Sequence, residues 1–208
     1  MGCDHIVISL VFLYSHLYFS PQCLIRNSFN TSEPPTKRKE EYYPSLVYES
    51  SILECRVVDI PKVDKFPASS EDEWDNQLHY GLRNADAYLL VYDVTRPSSF
   101  QYLQQIRDQI AMSRGLCELP IVVAAAKTDL AKDEIAHDND RGNFKSRHDI
   151  TSKVKKAWKL NHTECSARYN WNINSVFREL ASEILSVRNR RNGIYGKFEK
   201  KKCCFVCI

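Results

Sequence analysis

The sequence predicts an α/β protein with a doubly wound, mostly parallel sheet and helices on both faces. From Val47 onward, strand and helix signals alternate, which is the pattern of helices that cross over a parallel sheet. The segment 87–93 is a continuous apolar run, as expected of a central strand buried on both faces, and 120–126 is the next strand. The 208 residues suffice for one well-cored domain, so we expect a single domain followed by a tail.

The first elements are predicted to be strands. The apolar stretch 6–19 is shorter than a membrane span and has no Lys or Arg before it. We therefore interpret it as a buried first strand with an irregular sequel rather than as a cleaved signal peptide. The segments 45–49 and 52–59 are predicted to form a hairpin joined near Ser50. Upstream of it, the charged run 37–41 is either a solvated loop or a switch loop that contacts a partner.

Two helices are predicted in the middle of the chain from apolar residues at helical spacing. The first covers 71–82, where Trp74, Leu78 and Leu82 share one face. The second follows Pro-Ser-Ser at 97–99, where a serine can cap its first turn. Both would bury an apolar stripe against the sheet.

The last third of the chain is predicted to contain a helix, the last strand of the sheet and a long final helix. A polar stretch, 132–148, leads into a helix around 151–158. A short last strand ends at Cys165. A long helix then carries an apolar stripe across 173–185, which we interpret as core packing.

Charge is distributed unevenly along the chain. The formal net charge is +3, but the segment from Arg188 to the end carries seven basic residues against Glu199, a net +6 that leaves −3 for the rest. We therefore divide the chain into a domain over 1–187 and a basic, cysteine-rich tail over 188–208. A mildly acidic body with a basic tail predicts contact with an anionic partner such as the inner leaflet of a membrane, and no nucleic acid.

The cysteines indicate a reducing compartment and a modified tail. Five of the eight are scattered and three crowd the last six residues, which is not a disulfide framework. A strict prenylation signal needs a cysteine at position 205, which is Phe205. Palmitoylation of Cys203 and Cys204 is therefore the predicted lipid anchor. These features predict the cytoplasmic face of the plasma membrane, or the cytosol, as the location.

Two strand ends carry the strongest functional signal. Ala-Lys-Thr-Asp at 126–129 follows one predicted strand and Cys-Ser-Ala-Arg at 165–168 follows another. Open α/β sheets bind ligands at such carboxyl ends. The order and spacing of these motifs and of strand 87–93 resemble those of Ras-superfamily small GTPases over about 24–187. The closest group is Ras-like family 10, which shares an Asp-x-Pro after the third strand and the run 165–171.

The resemblance implies a small G-domain with GTP or GDP and Mg²⁺ as ligands. Asp129 would accept two hydrogen bonds from guanine, and Lys127 would lie along the base. The Ala167 N–H would meet the guanine carbonyl, with Ser166 bracing the turn. However, the family pattern is Asn-Lys-x-Asp, and Ala126 stands where the asparagine belongs. The resemblance also implies effector or regulator proteins as partners.

The phosphate half of the site departs further from the family. A phosphate loop needs Gly-x-x-x-x-Gly-Lys-Ser/Thr, and no pair of the six glycines satisfies it. By position the loop would fall on 15–22, where Pro21 replaces the lysine, so we regard 1–23 as an atypical amino terminus. Thr36 and Asp59 match the residues that serve Mg²⁺ and the switch, although either is equally well explained as an ordinary loop residue.

No catalytic residue is predicted. Asp-Ile-Pro-Lys at 59–62 replaces the family's Asp-x-x-Gly, and Val63 and Asp64 follow where a glutamine would orient water. The first hypothesis is therefore a Ras-like guanine-nucleotide-binding signalling switch with impaired binding and hydrolysis. The alternative is a nucleotide-independent, membrane-associated adaptor, a pseudo-GTPase that binds protein partners.

Overall fold

The computed structural model describes residues 6–13, 37–49, 51–75, 80–115, 119–131 and 147–194. In this part of the chain seven strands form one sheet: β1 (Ile6–Leu13), β2 (Glu40–Tyr42), β3 (Ser45–Tyr48), β4 (Ser51–Asp59), β5 (Tyr88–Asp93), β6 (Ile121–Ala126) and β7 (Asn161–Glu164). The strand order is β2-β4-β1-β5-β6-β7, and β3 also pairs with β4. The apolar sequel to β1 and the tail from residue 195 lie outside the described residues.

The sheet is mostly parallel, as predicted. β1 pairs in parallel with β4 and β5, and β6 pairs in parallel with β5 and β7. β2 and β3 run antiparallel to β4. β1 lies beside β4 from Ile6 to Phe12, whereas it pairs with β5 at Phe12 and Leu13. The predicted hairpin is the β3–β4 pair.

In the described ranges four helices accompany the strands: α1 (Ser70–Asp75), α2 (Pro97–Arg114), α3 (Arg147–Ser152), which continues as a π-helical turn (Lys153–Ala157), and α4 (Ile173–Ile194). Every residue of β5 and β6 is buried. Because successive side chains of a strand point to opposite faces, both faces of the sheet are covered, which confirms the predicted layers. No helix among the described residues combines the length and apolarity needed to cross a membrane.

The predicted helix over 71–82 is wrong in extent and in its buried face. The described part of α1 is Ser70–Asp75, and residues 76–79 lie outside the described residues. Gly81 adopts a left-handed conformation at φ 74° before a 3₁₀ turn, Leu82–Asn84, so the helix does not reach Leu82. Trp74 is 71 % exposed, although Leu82 is buried as expected. The cause is the buried carboxylate of Glu73, which accepts hydrogen bonds from the backbone N–H groups of Leu82 and Arg83 and thereby holds the turn against α1.

The predicted serine cap on α2 is also wrong. Arg96 occupies the capping position without a side-chain hydrogen bond, and Pro97 begins the helix. Ser99 lies inside the first turn, where its buried hydroxyl accepts a hydrogen bond from the Asp93 N–H at 3.0 Å and donates to the Arg96 carbonyl at 2.6 Å. It therefore ties the helix to the end of β5.

The charged run 37–41 is only partly a loop, because its last two residues belong to β2. Glu41 accepts two hydrogen bonds from Arg56 on β4, at 3.0 and 2.7 Å. These bonds, with Lys39 adding to them, lower the pKa of Glu41 to about 2. The end of the run is therefore a paired sheet edge and not a solvated loop.

Asp86, in the loop that leads into β5, has a carboxylate with one buried oxygen. Its Oδ2 atom is buried and has no hydrogen-bond partner among the described residues. Burial raises the pKa of Asp86 from 3.8 to about 7, although Arg114 and Arg191 oppose this rise. The folded protein therefore holds this proton more tightly than the unfolded chain does between about pH 4 and pH 7.

We expect Asp86 to lower the free energy of unfolding as pH rises through that window. Above pH 7 the folded state must carry the buried charge, so Asp86→Asn should stabilise the protein there by about 1–2 kcal/mol, after a discount for partial exposure. At pH 5 the difference should be small. Urea unfolding of the natural chain and of Asp86→Asn at pH 5 and pH 8 measures this difference in the free energy of unfolding. Asp64→Asn, at an exposed position, is the control, and an equal effect of Asp86→Asn at both pH values would contradict the prediction.

Candidate functional site

Three loops meet at the carboxyl edge of the sheet. β5, β6 and β7 are parallel, so the loops that follow them lie side by side. The Cys165 N–H donates to the Ala125 carbonyl at 2.8 Å, and the Val94 N–H donates to the Ala126 carbonyl at 3.1 Å. The Thr128 hydroxyl donates to the Cys165 carbonyl at 3.0 Å. The sheet and these bonds hold the two motif loops together.

Asp129 and Ser166, both predicted site residues, are in direct contact. The Ser166 hydroxyl donates to Oδ1 of Asp129 at 2.7 Å. No described residue donates to the second oxygen, Oδ2, and the carboxylate is half-buried. The bond fixes the orientation of the carboxylate and leaves Oδ2 available to a ligand.

Ala167 lies at the start of a tight turn closed by its neighbours. Ser166 and Trp171 exchange backbone hydrogen bonds at 3.0 and 2.9 Å, and the Asn170 N–H donates to the Ala167 carbonyl at 3.2 Å. Asn170 is left-handed at φ 51°, a conformation that asparagine adopts more readily than most residues. Within the described part of the chain, the Ala167 N–H donates to no acceptor, so this donor can serve a ligand.

Lys127 has a left-handed backbone, and its side chain is held in an ion pair. Its φ is 62°, and its carbonyl accepts from the Leu130 N–H at 2.9 Å. Its Nζ lies 2.9 Å from Oδ2 of the buried Asp93. Asp93 Oδ1 accepts two bonds from Thr95, at 2.8 and 2.6 Å. The ion pair connects the loop after β6 to the end of β5.

Asp93 is a residue of this edge that the sequence analysis missed. It ends the apolar strand that was predicted correctly, and the strand-end rule applied to Asp129 would have placed it at the same edge. Two exposed aromatic residues, Tyr169 and Trp171, were not singled out either, and they flank the Ala167 turn. Cys165 is not reactive, because burial raises the pKa of its thiol to about 12.

Of the two residues predicted to serve Mg²⁺, the structure describes Asp59. It ends β4, is buried, and lies beside the end of β1. Within the described ranges, no three His, Cys, Asp or Glu side chains gather into a metal-binding group. Because Mg²⁺ in nucleotide sites needs only one or two carboxylates in addition to phosphates, Asp59 alone fits such a role. Thr36, like the segment 15–22, lies outside the described residues.

The positions that would act on a terminal phosphate are occupied by unsuitable groups. Val63, where a glutamine would orient water, is 3 % exposed and carries no polar group. Lys62 is exposed, and its Nζ lies 4.9 Å from the centre of the Tyr102 ring. Neither side chain orients water as a glutamine does. Cys203 and Cys204 of the tail lie outside the described residues.

The Ras family model matches residues 22–186. The chain is 34 % identical over 160 residues to human Ras-like protein family member 10B, covering 76 % of this chain and 74 % of the relative. It is 33 % identical over 150 residues to human Ras-like protein family member 10A, covering 70 % and 69 %. Ras-like protein rasU of Dictyostelium discoideum is 27 % identical over 160 residues, covering 71 % and 70 %.

Proposed function

This chain belongs to the Ras family of small GTPases, and from that premise we propose that it binds guanine nucleotides through its base-recognition loops, weakly and without turning them over. The observation that supports this most directly is the 2.7 Å bond from Ser166 to Asp129. This bond joins two loops that are 37 residues apart in sequence, which supports a single ligand site built from both loops.

Recognition of guanine follows from the available groups. The N1 and N2 groups of guanine donate two hydrogen bonds, and the carboxylate of Asp129 can accept both. Adenine does not present these donors. Charge-assisted bonds of this kind contribute about 1.5–3 kcal/mol each. The Ala167 N–H would donate to the guanine carbonyl, and the stem of Lys127, held by Asp93, would lie along the base.

Weak binding follows from what the sequence lacks. Ala126 has no side chain to contact the base or bridge the loops, which removes about 0.5–1.5 kcal/mol per hydrogen bond. The phosphate-loop pattern is missing, and Pro21 offers neither a charge nor an N–H at the lysine position. Loss of three charge-assisted bonds corresponds to an affinity at least about 10³-fold weaker than that of a complete site.

The proposed cellular role is that of a signalling protein that binds effectors or regulators at the cytoplasmic face of a membrane. The support is the basic tail with Cys203 and Cys204, since each basic residue near an anionic leaflet adds about 1 kcal/mol. Mg²⁺ would accompany the nucleotide, served by Asp59 and Thr36. The buried, apolar Val63 favours a second candidate, the nucleotide-independent adaptor, because it offers no polar group to orient water at a terminal phosphate.

Titration of the purified chain with GDP and ADP tests the proposal. We expect saturable GDP binding and no ADP binding. Ala126→Asn should tighten GDP binding about 2–100-fold, because it restores one or two hydrogen bonds of about 0.5–1.5 kcal/mol each. Ala157→Asn, at an exposed position on the π-helical turn, should leave it unchanged. If neither the natural chain nor Ala126→Asn binds GDP, the adaptor is the correct function.

A further inference from the structure

The segment that follows Asp59 packs along α2. We call residues 60–75 the strap. Three of its apolar side chains, Ile60, Val63 and Phe66, are buried in the core. The Phe66 ring meets the Tyr88 ring edge to face, with centroids 6.2 Å apart. The strap is therefore anchored to the domain through its side chains.

Side chains of α2 also bind the main chain of the strap at successive points. They lie seven and four residues apart, which places them along one face of the helix. The bonds run from the Tyr102 hydroxyl to the Val63 carbonyl at 2.7 Å, from the Phe66 N–H to Gln109 Oε1 at 2.6 Å, and from the Ser113 hydroxyl to the Pro67 carbonyl at 3.1 Å. The backbone of the strap is thus fixed over 63–67 by side chains that no nucleotide would contact.

The carboxyl end of the strap is held by the 3₁₀ turn after α1. The Arg83 guanidinium donates to the Ala68 carbonyl at 2.5 Å and also contacts the Ser113 hydroxyl. Glu73 accepts from the N–H of Arg83 at 3.2 Å and from that of Leu82. The strap is therefore bonded from Val63 to Glu73 to elements outside the nucleotide edge.

We propose that the strap keeps one conformation whichever guanine nucleotide the base loops hold, so that partner proteins meet the same surface in every nucleotide state. In the family pattern, a glycine N–H at this place grips the terminal phosphate. Here that position is Lys62, and Val63 beside it is buried and bonded to Tyr102. The conformation of the strap is set by α2 and not by the phosphate.

Hydrogen exchange of the full chain, measured without nucleotide, with GDP and with a non-hydrolysable GTP analogue, tests this. We expect the amides of 63–67 to be protected to the same degree, within about 3-fold, in all three states. Amides in 126–131 and 165–171 should gain protection when nucleotide binds. A difference of about 10-fold or more in the strap between GDP and the analogue would overturn the proposal.

Comparing exchange rates between nucleotide states rests on the proposed function that the chain binds guanine nucleotides. The proposed function and the proposal about the strap can nevertheless fail separately. If the base loops do not respond to nucleotide, the proposed function fails. The proposal about the strap is then decided by the nucleotide-free protein, where fast exchange at the Phe66 amide would overturn it and slow exchange would support it.

A pair of matched variants tests whether side chains of α2 hold the strap in place. Gln109→Ala removes the acceptor of the Phe66 N–H and should speed exchange at that amide by about 10-fold or more. Gln105→Ala changes the same residue type at an exposed position of α2 and should have no effect. The exchange rates of the β5 amides report global stability, and they should be unchanged in both variants. Equal exchange at Phe66 in the two variants would show that α2 does not hold the strap.

Discussion

Asp129→Ala is expected to lower the affinity for GDP by about 10²–10⁴-fold, because two charge-assisted hydrogen bonds of about 1.5–3 kcal/mol each are lost together. The loss should be specific to guanine, so any residual affinity for ADP should be unchanged. Competition against a fluorescent GDP derivative at high protein concentration measures both. Asp129 is half-buried and its role is local, so the free energy of unfolding should change by no more than about 1 kcal/mol.

Ser166→Ala is the matched control for this change. It removes the hydroxyl that orients the carboxylate and keeps the carboxylate itself, so the expected loss is only about 2–10-fold. A larger loss from Ser166→Ala than from Asp129→Ala would mean that the hydroxyl, and not the carboxylate, contacts the nucleotide. GDP binding unaffected by either variant would place the nucleotide elsewhere.

Phe66→Ala is expected to lower the free energy of unfolding by about 3–5 kcal/mol, the usual cost of removing a buried phenyl ring. Phe66 is 2 % exposed, and its ring packs edge to face on Tyr88 in the centre of the core. In a protein of this size the melting temperature should fall by about 6–20 °C. Differential scanning calorimetry and urea unfolding measure the two quantities.

Met112→Ala is the control for Phe66→Ala. Met112 lies on α2 and is 88 % exposed, so its loss should change stability by no more than about 0.5 kcal/mol. A similarly small effect of Phe66→Ala would show that the strap does not pack in the core. Phe66→Leu should fall between the two, because it fills much of the same space.

The strands other than β2, and the long helices, could be predicted because their signals are local. The apolar run of β5, the alternation of β3 and the stripe of α4 each follow from burial of neighbouring residues. The 3₁₀ turn at Leu82–Asn84 could not be predicted in this way. It depends on the bonds from Leu82 and Arg83 to Glu73, nine and ten residues away, which no helical periodicity encodes.

The site residues also fall into those that the sequence predicts and those that it does not. Lys127, Asp129, Ser166 and Ala167 were found because they form short motifs at strand ends, and the structure brings the two loops together. The ion pair between Asp93 and Lys127 was missed because it joins separate segments and depends on the rotamer of a long side chain. The bonds from α2 to the strap were missed for the same reason.

The uneven pairing of β1 separates the two halves of the nucleotide edge. The loops proposed to read the base follow β5, β6 and β7, whereas Asp59 ends β4 and the strap follows it. β1 lies along β4 but pairs with β5 only at Phe12 and Leu13. The proposed purine-reading half is therefore joined to the other half of the sheet by few strand pairs. We expect evolutionary change in the first strand to alter affinity for phosphates while leaving the choice between purine bases intact.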